Sequence, residues 1–315
     1  MSPKVKEKIS VAVIGYGSQG RAVALNLRDS GYKVVVGLKS KSKSRAAARK
    51  DKIKDITTVS KAVNKADVVC FAFPDNLHGR VFEKDIRRFL KPGASLWFLH
   101  GLSVHFGLVK PPAEVDVVLL APHAPGTAVR EKYLADRSVS AFYAVYQNKS
   151  KKAVATVIAL AKAVGFQKKR LVKTTFEHEA VGDIFGEQAV LCGGLAMLIK
   201  NGFEVLVENG LKPEDAYLEV VYQLDLIVEL IKKYGIAGMF ERISVTAQYG
   251  SLKAGPKIID RGVKKRMRAV FEEIESGKFT SKLDRLGQKE LSSLKTALKA
   301  LSHPKLEKAA KRYSK

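Results

Sequence analysis

Acidic residues are in short supply: 31 Asp and Glu stand against 56 Lys and Arg, giving a net charge of +25 over 315 residues. Cysteine is rarer still. Cys70 and Cys192 both lie in apolar segments, and buried free thiols in a reducing compartment are expected. No apolar run approaches the roughly 20 residues that cross a bilayer. The N-terminal MSPKVKEKISVAVIGYGS lacks the apolar core and cleavage site of a secretory signal. A cytoplasmic protein with no membrane partner is expected. Zinc-knuckle and RNP-type motifs are missing as well. The positive charge, spread along the chain, therefore suits phosphorylated cofactors and anionic substrates better than specific nucleic acid. Repeats and low-complexity linkers are also lacking. What is present is ordinary for a globular protein: 46% hydrophobic residues and a length suited to two domains.

Ser10 to Ile14, SVAVI, reads as a buried strand that runs straight into GYGSQG. RAVALNLRDSGY follows with helical periodicity and Gly31 at the C-cap, and then KVVVGL forms a second strand. Strand, glycine turn, helix and strand make a dinucleotide site from Gly15, Tyr16, Gly17, Ser18, Gln19 and Gly20. The first glycine permits the tight turn, the second admits a pyrophosphate, and the third packs helix on strand. After the second strand an acid would favour NAD. This chain has GLKSKSKSR instead, with Lys39, Ser42 and Ser44 among cations and hydroxyls that suit the 2′-phosphate of NADP(H). A solvated basic loop is the plainer reading of the same residues.

Further strand and loop units follow in ADVVCFAFPDNLHG, ASLWFLHGLSVHFG and VDVVLLAPHAPGTAVR. They put Asp75, His78, His100, His123 and Gly126 in loops after strands, where an open parallel sheet binds ligands. KRLVKTTF is the last strand. Residues 1–174 are thus expected to be a Rossmann-like, doubly wound parallel α/β domain, and 175–315 an all-helical domain. In the helical part Asp183 and Glu187 lie four residues apart in VGDIFGEQAVLCGGLAMLIKNGFEVL, on one helical face. Glu219 follows on another apolar helix, begun by Pro213 and ended by Gly235. Convergent acids suit a hard divalent cation such as Mg²⁺. Spacing alone equally allows Asp183 to cap its helix and Glu187 to pair with a lysine. Both helices are more apolar than one amphipathic stripe requires, so a partner subunit is expected to cover them. Residues 243–250 read as irregular, and Leu286–Lys315 as a Lys-rich, mostly exposed helix.

Taken together, IGYGSQGRAVALNLRDSGYKVVVGL, FLHGLSVHFG, APHAPGTAVR, GDIFGEQAVLCGG and AYLEVVYQL resemble ketol-acid reductoisomerase of the short class with one knotted helical domain. The resemblance runs in order from about residue 9 to 280. It implies an Mg²⁺-dependent alkyl shift in a 2-acetohydroxy acid such as 2-acetolactate, then reduction by NADPH to a 2,3-dihydroxy acid of branched-chain amino acid synthesis. It implies one or two Mg²⁺ ions bound by Asp183, Glu187 and Glu219, and a homodimer or an oligomer of dimers. By the same resemblance Ser244 contacts the substrate carboxylate, His100 is an active-site residue, and Gly126, Asp75 and His78 contact the cofactor.

The chain also departs from that pattern. Gln223 stands where the family has glutamate, His123 where it has lysine, Lys39 where it has arginine, and His78 where many relatives have glutamine. Gln223 removes a negative charge from the metal site and His123 a permanent cation from the catalytic constellation. Two alternatives follow: a 2-keto acid reductase without isomerase activity, or a non-catalytic protein that binds cofactor or polyanion.

Overall fold

The computed structural model describes residues 9–313. The first eight residues, part of the stretch in which no secretory signal is expected, and the last two lie outside them. The first part of the chain alternates β1 (Ser10–Ile14), α1 (Ser18–Asp29), β2 (Lys33–Gly37), α2 (Ser44–Lys50), β3 (Asp55–Thr57), α3 (Val59–Lys65), β4 (Val68–Phe71), α4 (His78–Val81), β5 (Ser95–Phe98), α5 (Leu102–His105), β6 (Asp116–Pro122), α6 (Gly126–Leu134), β7 (Ala141–Gln147), α7 (Ala153–Val164) and β8 (Leu171–Lys173). One sheet results, ordered β3-β2-β1-β4-β5-β6-β7-β8. β1 is buried along its whole length and pairs in parallel with β2 and β4. The chain winds outward from β1 through β2 to β3, then restarts at β4 on the other side. That reversal opens the crevice beyond the carboxyl ends of β1 and β4. The sheet is not wholly parallel, because β7 runs antiparallel to β6 through a bulge at Val117/Val118. The short β3, flanked by polar residues, has no counterpart among the strands expected from sequence.

Strand alternation divides the core between the two faces of the sheet. Val11 and Val13 pack with Leu27 of α1 and Leu160 of α7 on one face, and Ala12 and Ile14 with Val63 of α3, Phe82 and Val104 on the other. Burying each such large side chain contributes about 1.5–3 kcal/mol. Gly31 adopts positive φ after α1, as expected, and Gly165 does the same after α7.

From Phe176 onward the chain is helical: α8 (Phe176–Phe185), α9 (Gly193–Glu208), α10 (Pro213–Tyr217), α11 (Leu224–Phe240), α12 (Val245–Ile258), α13 (Arg261–Glu275), α14 (Lys278–Asp284), α15 (Gln288–Leu301) and α16 (Pro304–Tyr313). Two compact units emerge: residues up to Gly182 with Thr280–Arg285, and Asp183–Phe279 with Leu286 onward. Gly235, at φ 74°, breaks α11 where a helix end is expected. Residues 243–250, read as irregular from sequence, instead lead into α12, which starts at Val245. The Ser244 hydroxyl accepts from the Ala247 N–H at 3.2 Å and caps that helix. The basic tail is two helices rather than one, and α16 is not simply exposed. Ala309 is buried against Phe203, Ala216 and Tyr217, and Tyr313 stacks on Tyr217 at 5.7 Å.

One expectation fails on length. The run Phe176–Glu208, 33 residues with mean hydropathy 1.6, is long and apolar enough to cross a membrane, and only 6% of its apolar window is buried. A π-helical turn, Gly186–Leu191, joins α8 and α9 into that single run, which residue-by-residue reading with its interrupting charges does not reveal. Cys192, expected to be buried, is exposed on it, whereas Cys70 is buried in β4.

Candidate active site at the carboxyl edge of the sheet

The turn between β1 and α1 is shaped by its neighbours. Gly15 has φ +100°, and a Cβ there would lie 2.2 Å from the Ala72 carbonyl oxygen just past β4. Only glycine meets both demands. The α1 N-terminus then opens at Gly17, which has no heavy atom within 4 Å of its Cβ position and so leaves room for a phosphate. Gly126, at the start of α6, is pressed against Ser18, so two helix N-termini lie side by side. Gln19 bridges them, donating from Nε2 to the Ala124 carbonyl at 2.8 Å. Its Oε1 is buried without a hydrogen-bond partner, an acceptor that a ligand N–H would satisfy. Tyr16 behaves differently. Its ring is 5% exposed and its hydroxyl donates to Asp51 at 3.0 Å, so it serves the turn through its backbone. Asp51 also takes two N–H bonds from Arg21, at 2.7 and 2.8 Å, and Arg21 holds its carboxyl below the usual carboxylate range.

After β2, Lys39 is exposed and Ser42 and Ser44 are half-buried, with Ser42 Oγ accepting from the Ser44 N–H at 3.3 Å. Arg45, which the sequence groups with the other cations, is spent on the backbone. Its guanidinium donates to the carbonyls of Leu38 (3.1 Å), Lys39 (3.1 Å) and Thr57 (2.9 Å). It therefore braces the loop rather than standing ready for a phosphate. Arg45→Ala is expected to raise the KM for NADPH roughly tenfold and that for NADH by less than about twofold, as steady-state kinetics with each cofactor will show.

The loop after β5 carries His100, and the helix facing it is pinned there by aromatic packing. Phe176, 4% exposed, sits 6.2 Å from Phe98 and 5.6 Å from Tyr146, ring to ring. Thr175 caps α8 by accepting from the His178 N–H at 3.0 Å. Glu179 is thereby delivered, 3% exposed, against the His100 loop. Its Oε2 accepts the Gly101 N–H and lies 3.4 Å from His100 Nδ1. That Nδ1 accepts the Leu102 N–H at 3.0 Å, so the neutral ring carries its proton on Nε2. One turn further along the same helix is Asp183. His100, Glu179 and Asp183 bring a ring nitrogen and two carboxylates within 4.8 Å of one another, and the two carboxylates are oxygen donors suited to a divalent cation.

Glu179 is not among the acids expected from sequence, although Glu179, Asp183 and Glu187 recur every four residues. Glu187 is not one of the three clustered donors, and it stands on a wider π turn that starts at Gly186. Glu219 is not one of them either. It stands on a second π turn, Leu218–Tyr222. Gln223 Nε2 donates to Glu219 Oε2 and to the Leu218 carbonyl, both at 3.3 Å. In the single chain Asp183, Glu187, Glu219, Gln223 and Ser244 are all exposed, so the desolvation expected of acids in an apolar run is not met by one copy. Ser244 spends an acceptor site on its cap but keeps its hydroxyl proton to donate. His123, exposed, has Nδ1 3.2 Å from Ser140 Oγ and its ring edge-on to Phe142 at 4.3 Å. Asp75 opens a short turn after β4, while His78, expected to touch the cofactor, is 2% exposed with both ring nitrogens engaged inside the protein.

The comparisons with known proteins agree over most of the chain. Residues 5–169 match the family model described as acetohydroxy acid isomeroreductase, NADPH-binding domain, and residues 176–315 that of the ketol-acid reductoisomerase C-terminal domain. A ketol-acid reductoisomerase (NADP(+)) from Pyrobaculum arsenaticum is 50% identical over 270 residues, covering 86% of this chain and 82% of that one. The enzyme of that name from Mycobacterium ulcerans is 48% identical over 273 residues, covering 87% and 82%. The solved structure of an NADH-preferring ketol-acid reductoisomerase from an uncultured archean superposes with a TM-score of 0.90 at 38% identity, covering 96% of this chain and 93% of that one. The chain belongs to the ketol-acid reductoisomerase family.

Proposed function

We propose that the chain rearranges a 2-acetohydroxy acid such as 2-acetolactate with the help of Mg²⁺ and reduces the product with NADPH, as a cytoplasmic enzyme of branched-chain amino acid synthesis. What supports the reading is the cluster of His100, Glu179 and Asp183, whose candidate ligand atoms lie within 4.8 Å of one another. In this reading residues up to about Thr174 bind cofactor and the helical remainder supplies metal ligands and the oligomer contact. Asp183, Glu187 and Glu219 would hold Mg²⁺, which would supply Lewis-acid chemistry to the substrate. The chain's own groups do the rest. His100, its Nε2–H set by the Leu102 N–H, moves a proton at the reacting oxygen, and Glu179 fixes the loop that bears it. Ser244 donates its hydroxyl proton to the substrate carboxylate. Lys39, Ser42 and Ser44 receive the 2′-phosphate, and the paired helix N-termini the pyrophosphate.

Gln223 favours a second reading. An amide that clamps Glu219 stands where a further carboxylate would add charge, so a second cation is held less tightly. Reduction of a ready-made 2-keto acid needs less metal assistance than the alkyl shift. Incubation with NADPH and Mg²⁺ separates the two. NADPH oxidation with 2-acetolactate supports the full reaction, and oxidation only with 3-hydroxy-3-methyl-2-oxobutyrate supports the reductase. No oxidation with either, across pH and metal series, ends both.

A homodimer is the expected state. Leu191, Leu195, Met197 and Leu198 of the first helical run, and Leu226 and Ile227 of α11, are large apolar side chains at least 36% exposed in one copy. A second copy covers them and brings Glu219 to its neighbour's Asp183. Leu198→Glu is expected to give a monomer by sedimentation and to lower turnover at least about tenfold at equal protein concentration. A monomer with full activity would remove Glu219 from the shared site.

A further inference from the structure

His78 sits inside the first unit with its ring used on both sides. Nε2 lies 2.9 Å from the Phe73 carbonyl oxygen and Nδ1 2.7 Å from Ser103 Oγ. A carbonyl oxygen only accepts, so Nε2 bears the proton and Nδ1 accepts from the Ser103 hydroxyl. The ring is neutral in this arrangement. Burial holds its pKa below the ordinary histidine value, against the pull of Asp75 at 3.6 Å. Phe71 and Phe73 flank it at 5.4 and 4.5 Å, so its orientation is fixed by packing as well as by bonds.

The two partners belong to different segments of the crevice, Phe73 to the loop after β4 and Ser103 to α5. Phe73 follows Ala72, whose carbonyl abuts Gly15 at the dinucleotide turn. Ser103 follows Leu102, whose N–H sets the His100 ring. We propose that His78 is a positioning residue for hydride transfer, tying the loop after β4 to α5, the short helix that follows the His100 loop, so that cofactor turn and His100 share one rigid frame. It acts through Phe73 and Ser103 and not by touching the cofactor. The inference rests on the function proposed above, since it takes the nicotinamide to lie beyond β4 and the proton-transfer group to be His100. A glutamine at this position has the right chemistry to replace the ring, one amide N–H for Phe73 and one carbonyl oxygen for Ser103. Leucine keeps the apolar contacts and makes neither bond.

The test uses the full chain with NADPH, Mg²⁺ and 3-hydroxy-3-methyl-2-oxobutyrate, which isolates the reduction. His78→Leu is expected to lower kcat about tenfold or more while the KM for NADPH moves less than about threefold, and His78→Gln to recover kcat to within about threefold of the parent. Ser103→Ala should reproduce the kcat loss with the imidazole in place, and the double variant should fall no further than either single one. A rise in the KM for NADPH with kcat unchanged would make His78 a direct cofactor contact and overturn the proposal. So would glutamine performing no better than leucine, or losses that multiply. Should His78→Leu fail to fold, Ser103→Ala and His78→Gln carry the comparison. The ring nitrogens give a readout independent of turnover. In ¹⁵N NMR the parent should show Nε2 protonated and Nδ1 bare, with Nδ1 shifting in Ser103→Ala. A ring protonated on Nδ1 sinks the lock even if the enzyme is active. A parent inactive on both substrates with the expected ring signature sinks the assigned reaction and leaves the lock to be judged by whether Ser103→Ala and His78→Leu weaken NADPH binding equally.

Discussion

Asp183→Asn is expected to abolish turnover of 2-acetolactate, by roughly a thousandfold or more, while leaving NADPH affinity within about twofold of the parent. The substitution is nearly isosteric, and Asp183 is exposed on α8, so the fold loses little. What changes is one negative charge in a cluster whose ligand atoms lie within 4.8 Å of one another. Hard cations bind through charge and oxygen count, and an amide oxygen carries no formal charge. Calorimetric titration with Mg²⁺ should show the loss directly, without reference to activity. Glu179→Gln makes the informative partner. Its Oε2 accepts the Gly101 N–H, so the amide can keep a weaker version of that bond if its oxygen faces the loop. A milder kcat loss with Mg²⁺ affinity preserved would mark Glu179 as the support of the His100 loop. Equal loss of Mg²⁺ affinity in both variants would make Glu179 a ligand. Asp183→Asn retaining a tenth or more of the parent turnover would remove Asp183 from the chemistry altogether.

The parts of the fold that sequence made legible are those where periodicity and punctuation agree. β1, the glycine turn and α1 are fixed by a buried run, three glycines and a helical pattern that ends at Gly31, and the structure has them in those places. The break at Gly235 and the start at Pro213 were equally open to reading. β3 was not, because three half-buried residues make too short a segment to alternate. α12 was concealed by Thr246, Gly250, Gly255 and Pro256, residues of poor helix propensity that packing and the Ser244 cap override. The π turns under Glu187 and Glu219 leave no trace in composition. They change the angular offset of the two acids from that of a regular helix, and the structure adds Glu179 beside Asp183, an acid one turn earlier on α8. Tyr16, Arg45 and His78 show a further limit. Sequence identified the loops they belong to, but each side chain is turned to the protein itself, on Asp51, on three carbonyls, and on Phe73 with Ser103. A motif names a segment; only the packing decides which of its atoms face a ligand.

Gly126→Ala should damage fold and cofactor binding together, and Gly17→Ala cofactor binding alone. A Cβ at Gly126 would lie 2.1 Å from the Ser18 carbonyl oxygen and 2.6 Å from the Gln19 nitrogen. Those are backbone atoms of α1's first turn and cannot rotate away, so α6 must retreat. The strain of such overpacking is about 1–3 kcal/mol, visible as a lowered midpoint in denaturant. Retreat also stretches the Gln19 to Ala124 hydrogen bond and separates the two helix N-termini, whose N–H groups and dipoles act on the same phosphates. NADPH affinity is expected to fall about thirtyfold or more, corresponding to roughly 2 kcal/mol. Gly17 differs in both respects. Its φ of −79° is open to any residue, and nothing lies within 4 Å of its Cβ position, so alanine fits the protein without strain. The methyl group meets a neighbour only when a pyrophosphate occupies the turn. Fluorescence titration with NADPH should therefore show weakened binding for Gly17→Ala at unchanged denaturation midpoint. Unimpaired NADPH binding by both variants would mean that the cofactor does not lie across the paired starts of α1 and α6.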